Sequence, residues 1–313
     1  MKYIQDLKEG NSVNDIYLCR KKQSLVTRNG KAYDALTLQD KTGALDAKIW
    51  DPGSMGIDDY EELDYVEVHG DITVFQGKLQ LNVRRLRVCR DGEYAPENYL
   101  PVSSKDNGEM FAKLMHYIES VKNPDLHELL QRFFVQDTEF VKAFRLSSAA
   151  KSVHHGFVGG LLEHTLSVTE LCDFYSKAYP ILNRDLLITA AVLHDIGKTK
   201  ELSRFPKNDY TDAGQLIGHI IIGTEMIGEK IREIDGFSQV MSDQLRHCIL
   251  AHHGELEYGS PKKPALIEAA ALNFADNTDA KLEIFKEALQ GTDSKEWLGW
   301  QNFLDSNIRR TIE

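Results

Sequence analysis

Several features that would indicate secretion, a membrane location or ATP-driven chemistry are missing from this sequence. Its four cysteines show no CxxC spacing, so the sequence predicts neither a disulfide framework nor a cysteine zinc site. No apolar run reaches the length of a membrane span, and the first residues lack the apolar core of a signal peptide. Internal repeats and a GxxxxGK[ST] phosphate loop are also absent. We therefore expect a cytoplasmic protein with no membrane partner.

An excess of positive charge is missing too. The formal net charge is -11, which argues weakly against binding of nucleic acid. Residues 1–90 hold 14 basic and 14 acidic side chains, whereas residues 91–313 hold 23 and 34, so the excess acidity lies in the second part. Bound divalent cations reverse local electrostatics, and an acidic chain can still carry a basic groove. A length of 313 residues suffices for two domains.

Alternation of apolar and polar residues, the pattern of β-strands, dominates the chain up to residue 89. Strands are predicted at 12–27, 33–40, 44–50, 64–75 and 78–88, with turn signals such as Asn29-Gly30 and Gln76-Gly77 between them. The stretch 51–63 leaves room for one helical turn. Five strands with this interruption predict an N-terminal all-β OB-fold barrel over residues 1–90 that binds nucleic acid.

The pleat of these strands decides which side chains face outward. Apolar side chains of three strands share the inward parity: Leu36, Leu38, Leu45, Ala47, Ile49, Leu79, Leu81 and Val83. The other face carries an aromatic pair among cations, and we predict nucleic-acid contacts for Tyr33, Lys48, Trp50, Lys78 and Arg84. Exposed rings beside cations are what stacking of unpaired bases requires. The alternative is that Tyr33 and Trp50 cover one end of the barrel against the next domain.

The second part of the chain has helical periodicity. Pro, Ser and charged residues concentrate at 91–106, where we place a linker. Helical runs follow at 108–122, 124–134, 159–179, 184–198, 217–234, 242–254 and 265–289, and prolines fall between these runs. Residues 107–313 are therefore predicted to form an all-α domain with a C-terminal tail.

The histidines are concentrated in this helical part, where eight of the eleven lie between residues 154 and 253. Five histidines and two aspartates stand in apolar runs: His164, His194, Asp195, His219, His252, His253 and Asp276. A single histidine on an apolar face is more often a hydrogen-bonded core residue than a ligand, but that explanation would have to hold at five positions. Imidazole and carboxylate without thiolate suit Mn, Fe, Co, Ni or Zn.

Three of these stretches, "GGLLEHTLSV", "VLHDIGK" and "ALNFADNTD", resemble the signature of the HD phosphohydrolase superfamily, an α-helical fold whose four signature ligands hold a metal. The additional histidines match the pattern of its two-metal phosphodiesterases. The resemblance implies that the first metal is bound by His164, His194, Asp195 and Asp276. It implies that the second is bound by Asp195, His219, His252 and His253, so that Asp195 bridges the two.

Three further residues are considered for the site. Lys198 lies one helical turn beyond His194, and we predict that it acts catalytically by orienting a substrate phosphate. The alternative is an ordinary helix-terminal lysine that interacts with the helix dipole. His154 and His155 precede the "GFVGGLLEH" run, and they either line the substrate entrance, cap a helix or remain solvated.

Two departures from related enzymes narrow the substrate. The residues after "AHHG" are "ELEYGSPKKP" and lack the GYP stretch of cyclic-dinucleotide phosphodiesterases. Gly160, four residues before His164, leaves no carboxylate for the third metal that some of those enzymes use. A cyclic dinucleotide substrate is therefore disfavoured.

Over nearly its whole length the chain resembles the YhaM-type 3'-to-5' exoribonucleases, which join an N-terminal OB domain to an HD domain. Besides the HD signature, the stretch "SLVTRNGKAYDALTLQDKTGALDAKIWD" carries this resemblance. It implies a metal-dependent 3'-to-5' exoribonuclease that hydrolyses single-stranded RNA to nucleoside 5'-monophosphates through a two-metal HD site. Two divalent ions per chain are expected, with Mn first and Co, Fe, Ni or Zn as alternatives.

Other partners and functions remain open from the sequence. Single-stranded DNA is a second candidate substrate, and a homo-oligomer is compatible with the sequence. A nucleotide phosphohydrolase acting on free nucleotides and a non-catalytic, replication-associated protein that binds single-stranded DNA are the alternative functions. Release of mononucleotides from a labelled oligomer separates them from an exonuclease.

Overall fold

The structure, a computed structural model, describes residues 2–100, 102–151, 156–290 and 294–311. The chain forms two compact units, residues 1–101 and residues 102–313. The predicted linker limits at 91 and 106 stay a prediction. None of the helices in the described part of the chain combines the length and apolar character of a membrane span.

The first unit is a closed five-stranded barrel. Its strands are β1 (Ser12–Val26), β2 (Ala32–Asp40), β3 (Gly43–Ile49), β4 (Tyr65–Phe75) and β5 (Lys78–Val88). They pair in the order β1-β2-β3-β5-β4, and β4 returns to β1 in antiparallel register. The one crossover pair, β3 with β5, is parallel, with Ala47 opposite Leu81. The predicted OB-type barrel is confirmed, and each strand lies within about one residue of its predicted limits.

The barrel core is formed by the inward parity of the strands. Leu38, Ala47 and Leu81 are fully buried, whereas Trp50 on the opposite parity is 52% exposed. Gly70 is required at a bulge of β4, because a Cβ there would lie 2.2 Å from the carbonyl oxygen of Asn82. The expectation of a helical turn in 51–63 is wrong, since this stretch forms turns and one isolated bridge.

The second unit is a bundle of helices with a small C-terminal hairpin. The helices are α1 (Asn107–Glu119), α2 (Pro124–Gln131), α3 (Thr138–Leu146), α4 (Gly160–Ala178), α5 (Arg184–Leu193), α6 (Lys198–Glu201), α7 (Asp212–Leu216), α8 (His219–Arg232), α9 (Gln239–Ala251) and α10 (Ile267–Gln290). A π-helical turn, Arg132–Gln136, follows α2. The all-α expectation needs one correction, because β6 (Trp300–Gln301) and β7 (Ser306–Asn307) form a two-stranded sheet.

The core of this unit lies around α5. Every residue from Leu186 to Leu193 is buried, since a helix that is apolar on all sides must be covered on all sides. Asn183 caps its first turn by accepting a hydrogen bond from the backbone N–H of Leu186. α4, α9 and α10 pack around α5, and each contributes to one continuous apolar cluster. The central helix α5 therefore ends inside the bundle, and the buried His194 follows it directly.

Candidate metal centre and nucleic-acid surface

Five helical elements deliver the predicted metal ligands to one place. His164 lies in α4, and Asp276 lies in α10. The remaining ligands stand at helix ends: His194 and Asp195 follow α5, His219 opens α8, and His252 and His253 follow α9. His194 and His252 have no exposed surface, and Asp195 is 2% exposed. The unusual His-Asp pair therefore lies at the buried end of the central helix, in the turn that leads to α6.

The ligand atoms form two clusters, each within 4.8 Å. The first cluster consists of His164, His194 and Asp276, and the second of His219, His252 and His253. In the first cluster, His164 Nε2 lies 3.2 Å from His194 Nε2 and 3.2 Å from Asp276 Oδ1. Three ligand atoms this close together are the basic requirement for coordination of one ion.

Asp195 lies between the two clusters and turns one oxygen toward each. Its Oδ2 is 3.5 Å from His164 Nε2 and 3.4 Å from His194 Nε2. Its Oδ1 is 3.4 Å from His219 Nε2 and 3.7 Å from His252 Nε2. A single carboxylate thus faces both sets of imidazole nitrogens.

The imidazole rings are oriented from behind by hydrogen-bond acceptors. Carbonyl oxygens accept from Nδ1 of His194 at 2.8 Å, of His252 at 2.6 Å and of His253 at 2.9 Å. Carboxylates do the same for His164 and His219. Because these oxygens accept, Nδ1 of each ring carries a hydrogen, and Nε2 of a neutral ring keeps its lone pair. This is the tautomer that a metal site needs.

The residues present fit a divalent cation. Asp195 Oδ1, His219 Nε2 and His252 Nε2 are buried and find no hydrogen-bond partner among the described residues. Buried polar atoms without partners are costly, and a cation between them satisfies all three. The donor set of imidazole and carboxylate without thiolate suits Mn, Fe, Co, Ni or Zn.

The protonation of the site follows from its charges. Burial alone would lower the pKa of His164, but Asp276 and Asp279 outweigh it and raise the value to about 10. Burial and the neighbouring His253 hold the pKa of His252 well below its usual range. In the metal-free chain, one cationic imidazole thus balances the carboxylates of the first cluster, and His252 stays neutral.

Lys198 is part of the site. Its Nζ lies 2.6 Å from Asp195 Oδ2, on the first turn of α6. Burial opposes the charge of both partners, but their attraction raises the pKa of Lys198 and holds that of Asp195 well below its usual range. Its predicted contact with a substrate phosphate stays a prediction. His154 and His155 lie outside the described residues.

Two carboxylates that contact the predicted ligands were not predicted from the sequence. Asp279 Oδ2 accepts from His164 Nδ1 at 2.7 Å, and Glu201 Oε1 accepts from His219 Nδ1 at 2.9 Å. Asp279 follows Asp276 by three residues, a spacing that places both side chains on one face of a helix. This spacing could have indicated that Asp279 also lies at the site. Glu201 stands in "KTKEL", which has the composition of a solvated turn, and only the packing of α6 against α8 brings it to the site.

The barrel surface carries the predicted aromatic pair. Tyr33 and Trp50 stack with ring centroids 5.2 Å apart, and Lys48 Nζ lies 5.4 Å from the Tyr33 ring centre. Trp50 Nε1 donates to Asn82 Oδ1 at 3.0 Å, which fixes the plane of the exposed indole. The two rings therefore present one joint aromatic surface, because one face of each ring is turned toward the other.

The two remaining predicted contacts lie on β5. Lys78 is exposed at the start of this strand, directly after the β4–β5 turn. Arg84 is also exposed, but its guanidinium pairs with Asp71 across the strands. A phosphate at Arg84 would compete with this ion pair, so Lys48 and Lys78 are the stronger candidates for binding a nucleic-acid backbone.

Solved structures of OB domains are similar to the barrel. The second OB-fold domain of replication protein A from Methanococcus maripaludis matches 30% of this chain and 98% of its own, with 17% identity and a TM-score of 0.25. A replication protein A heterotrimer bound to ssDNA matches 28% of this chain and 64% of its own, with 20% identity and a TM-score of 0.21.

The helical unit matches the HD domain family over residues 161–281, which include the six residues of the two clusters and Asp195. Barrel and site together define an HD-domain phosphohydrolase with an N-terminal OB-type barrel. The 3'-5' exoribonuclease YhaM of Geobacillus sp. (strain WCH70) is 38% identical over 280 residues, which are 88% of this chain and 85% of the relative. The YhaM of Bacillus subtilis (strain 168) is 35% identical over 285 residues, 90% of this chain and 88% of its own. The chain belongs to this YhaM family.

Proposed function

We propose that this protein is a metal-dependent 3'-to-5' exoribonuclease that hydrolyses single-stranded RNA to nucleoside 5'-monophosphates at a two-metal site. The activity is that of its relatives, which are named as 3'-5' exoribonucleases. The observation that carries the two-metal part is the position of Asp195, whose two oxygens face different clusters of imidazole nitrogens. One carboxylate in this position would serve as a ligand of both ions.

The chain's own residues have distinct tasks in this proposal. Divalent cations bound by the two clusters would supply an activated water and offset the negative charge of the scissile phosphate. Asp195 holds the clusters in a fixed relation, and Lys198 keeps it ionised in a buried position. Carbonyl and carboxylate acceptors behind the rings keep each imidazole aimed at the site, so little reorganisation is needed during the reaction.

The barrel would hold the RNA strand. The exposed Trp50 and its partner Tyr33 offer a stacking platform, and each stacked base contributes about 1–3 kcal/mol. Lys48 and Lys78 would bind phosphates in the part of the chain that carries no net negative charge. Manganese as the resident metal, a cytoplasmic location, use of single-stranded DNA and a homo-oligomer belong to the same proposal.

Two labelled oligoribonucleotides test the polarity and the product. One carries a labelled phosphate on the 5' side of its last nucleotide, and the other carries its label at the 5' end. With Mn²⁺, the first should release labelled mononucleotide at once, while the second shortens stepwise. A chelator should stop both reactions. A 5'-labelled oligomer that yields mononucleotide immediately would reverse the polarity.

The same assay separates the alternatives left open by the sequence. Hydrolysis of free nucleotides with intact oligomers would indicate a nucleotide phosphohydrolase. Binding of single strands without cleavage under any of the five metals would indicate a non-catalytic protein. A matched oligodeoxyribonucleotide measures the preference for RNA over DNA.

A further inference from the structure

The five histidines of the two clusters differ in the group that accepts the hydrogen bond from Nδ1. His194 and His252 each donate to a carbonyl three residues earlier, Ala191 at 2.8 Å and Ile249 at 2.6 Å. These contacts arise within single helices and need no other part of the fold. His253 donates to the carbonyl of Tyr258, five residues further on.

Two histidines are instead held by carboxylates from other elements. In the first cluster, Asp279 of α10 reaches His164 of α4, 115 residues away in the chain. In the second cluster, Glu201 of α6 reaches His219 of α8. Each cluster thus has one histidine whose orientation depends on a carboxylate of a neighbouring helix.

Glu201 makes two contacts with the same residue. Its Oε1 accepts from His219 Nδ1 at 2.9 Å and from the backbone N–H of His219 at 3.0 Å. The second contact satisfies an N–H at the start of α8, so the carboxylate fixes both the ring and the helix end that carries it. Glu201 is buried, which removes the competition of bulk water for these hydrogen bonds.

The two clusters also differ in charge. The first contains Asp276 as well as one oxygen of Asp195. The second consists of three imidazoles, and in the part of the chain that is described its acidic contacts come from Asp195 and Glu201. Without the charge of Glu201, the acidic contact left to the second cluster would be Asp195, which also faces the first cluster.

We propose that Glu201 and Asp279 are positioning residues that separately set the affinity of the two metal sites. Glu201 acts through His219 on the second site, and Asp279 acts through His164 on the first. This inference rests on the proposed function, because it takes the two clusters as metal sites. Loss of an outer carboxylate behind a metal-bound histidine costs about 10–100-fold in metal affinity.

Metal titration tests this assignment without measuring catalysis. Glu201→Gln, Asp279→Asn and a control, Glu283→Gln, are stripped with a chelator and titrated with Co²⁺, followed by calorimetry and visible absorption. Glu283 also lies in α10, one turn beyond Asp279, and pairs with Lys286. The parent and the control should bind two ions. Each test variant should bind one ion as the parent does and the other about 10–100-fold more weakly.

A double-variant cycle assigns each effect to its histidine. In a His219→Ala background, Glu201→Gln should cause little further loss at the second site, because the imidazole that Glu201 orients is already removed and only its contact with the backbone N–H remains. An added loss of the full size would show a structural role and overturn the assignment. Parent-like binding of both ions by Glu201→Gln, or equal weakening of both sites, would also overturn it.

Failure of this inference and failure of the proposed function give different results. If the parent degrades RNA and binds two ions, and the variants bind both ions as tightly as the parent, only the inference is contradicted. A parent that binds one ion overturns the inference and the two-metal part of the proposed function together. Circular dichroism of each metal-free variant identifies any loss of helix that would otherwise imitate weak binding.

Discussion

Replacing Asp195 by Asn removes the charge that faces both clusters and keeps the shape of the side chain. Asp195 is 2% exposed, and its Oδ2 is the ion-pair partner of Lys198 at 2.6 Å. The variant should lose bound metal at both sites and lose ribonuclease activity. It should also leave the ammonium group of Lys198 without its partner in a buried position.

The cost to stability follows from that unpaired charge. Breaking a buried ion pair by removing one partner costs about 3–5 kcal/mol. The Lys198 side chain keeps 16% exposure, so we expect the lower end, about 3 kcal/mol, in the free energy of unfolding of the metal-free protein. Adding Lys198→Met to Asp195→Asn removes the unpaired charge and should restore most of this loss, but neither metal binding nor activity.

Urea unfolding in the presence of a chelator measures the stability of the parent, Asp195→Asn, Lys198→Met and the double variant. Elemental analysis after dialysis against Mn²⁺ gives the ions per chain, and the 5'-labelled oligomer gives the activity. Two ions and parent-like activity in Asp195→Asn would refute the bridging role. A double variant no more stable than Asp195→Asn would refute the explanation through Lys198.

Three further experiments test the aromatic pair of the barrel, the requirement for single-stranded RNA and the packing of Gly197 against the start of α8. Replacing Tyr33 and Trp50 by Ala should slow degradation of long single strands and leave hydrolysis of a very short oligomer nearly unchanged; equal loss on both would indicate misfolding. A 3' tail beside a GC-rich hairpin should shorten to the hairpin base, because each step of melting costs about 1.4 kcal/mol and no helicase phosphate loop is present; digestion through the hairpin would contradict this. Gly197→Ala should lower stability by about 1–3 kcal/mol and weaken metal binding at the second cluster, since its Cβ would lie 2.0 Å from the carbonyl oxygen of His219. Gly228→Ala, whose nearest contact is 3.6 Å away, is the matched control in a melting experiment and should not destabilise.

The sequence predicted the barrel more completely than the helical unit. In a strand, every second side chain faces the same side, so the local pattern was enough to place all five strands. The same pattern separated buried Leu38 from exposed Trp50. Helices α3 and α7 were missed because they are short, with nine and five residues, and offer few turns of periodicity. The two C-terminal strands have two residues each, too few for any alternation.

At the candidate site, the sequence indicated the ligand types but not their supports. Histidines and aspartates in apolar helices are conspicuous because burial without a partner is costly, so His194 and Asp195 could be singled out. Glu201 carries no such signal, since acidic side chains are common on helix surfaces, and Asp279 offers only its helical spacing from Asp276. Their role depends on which helix lies opposite, and that is set by the tertiary packing of α6 on α8 and of α10 on α4. Metal coordination by the seven predicted ligands stays a prediction.

The spread of the ligands along the chain also fixes when the protein becomes competent during its synthesis. His164 is the first proposed ligand to leave the ribosome, and Asp276 is the last, in a helix that ends at Gln290 of a chain of 313 residues. A nascent chain that stops before α10 holds His164 without either Asp276 or Asp279, and the central helix α5 lacks one of its covering neighbours. For an enzyme that degrades RNA, this order would delay catalysis until α10 has been synthesised.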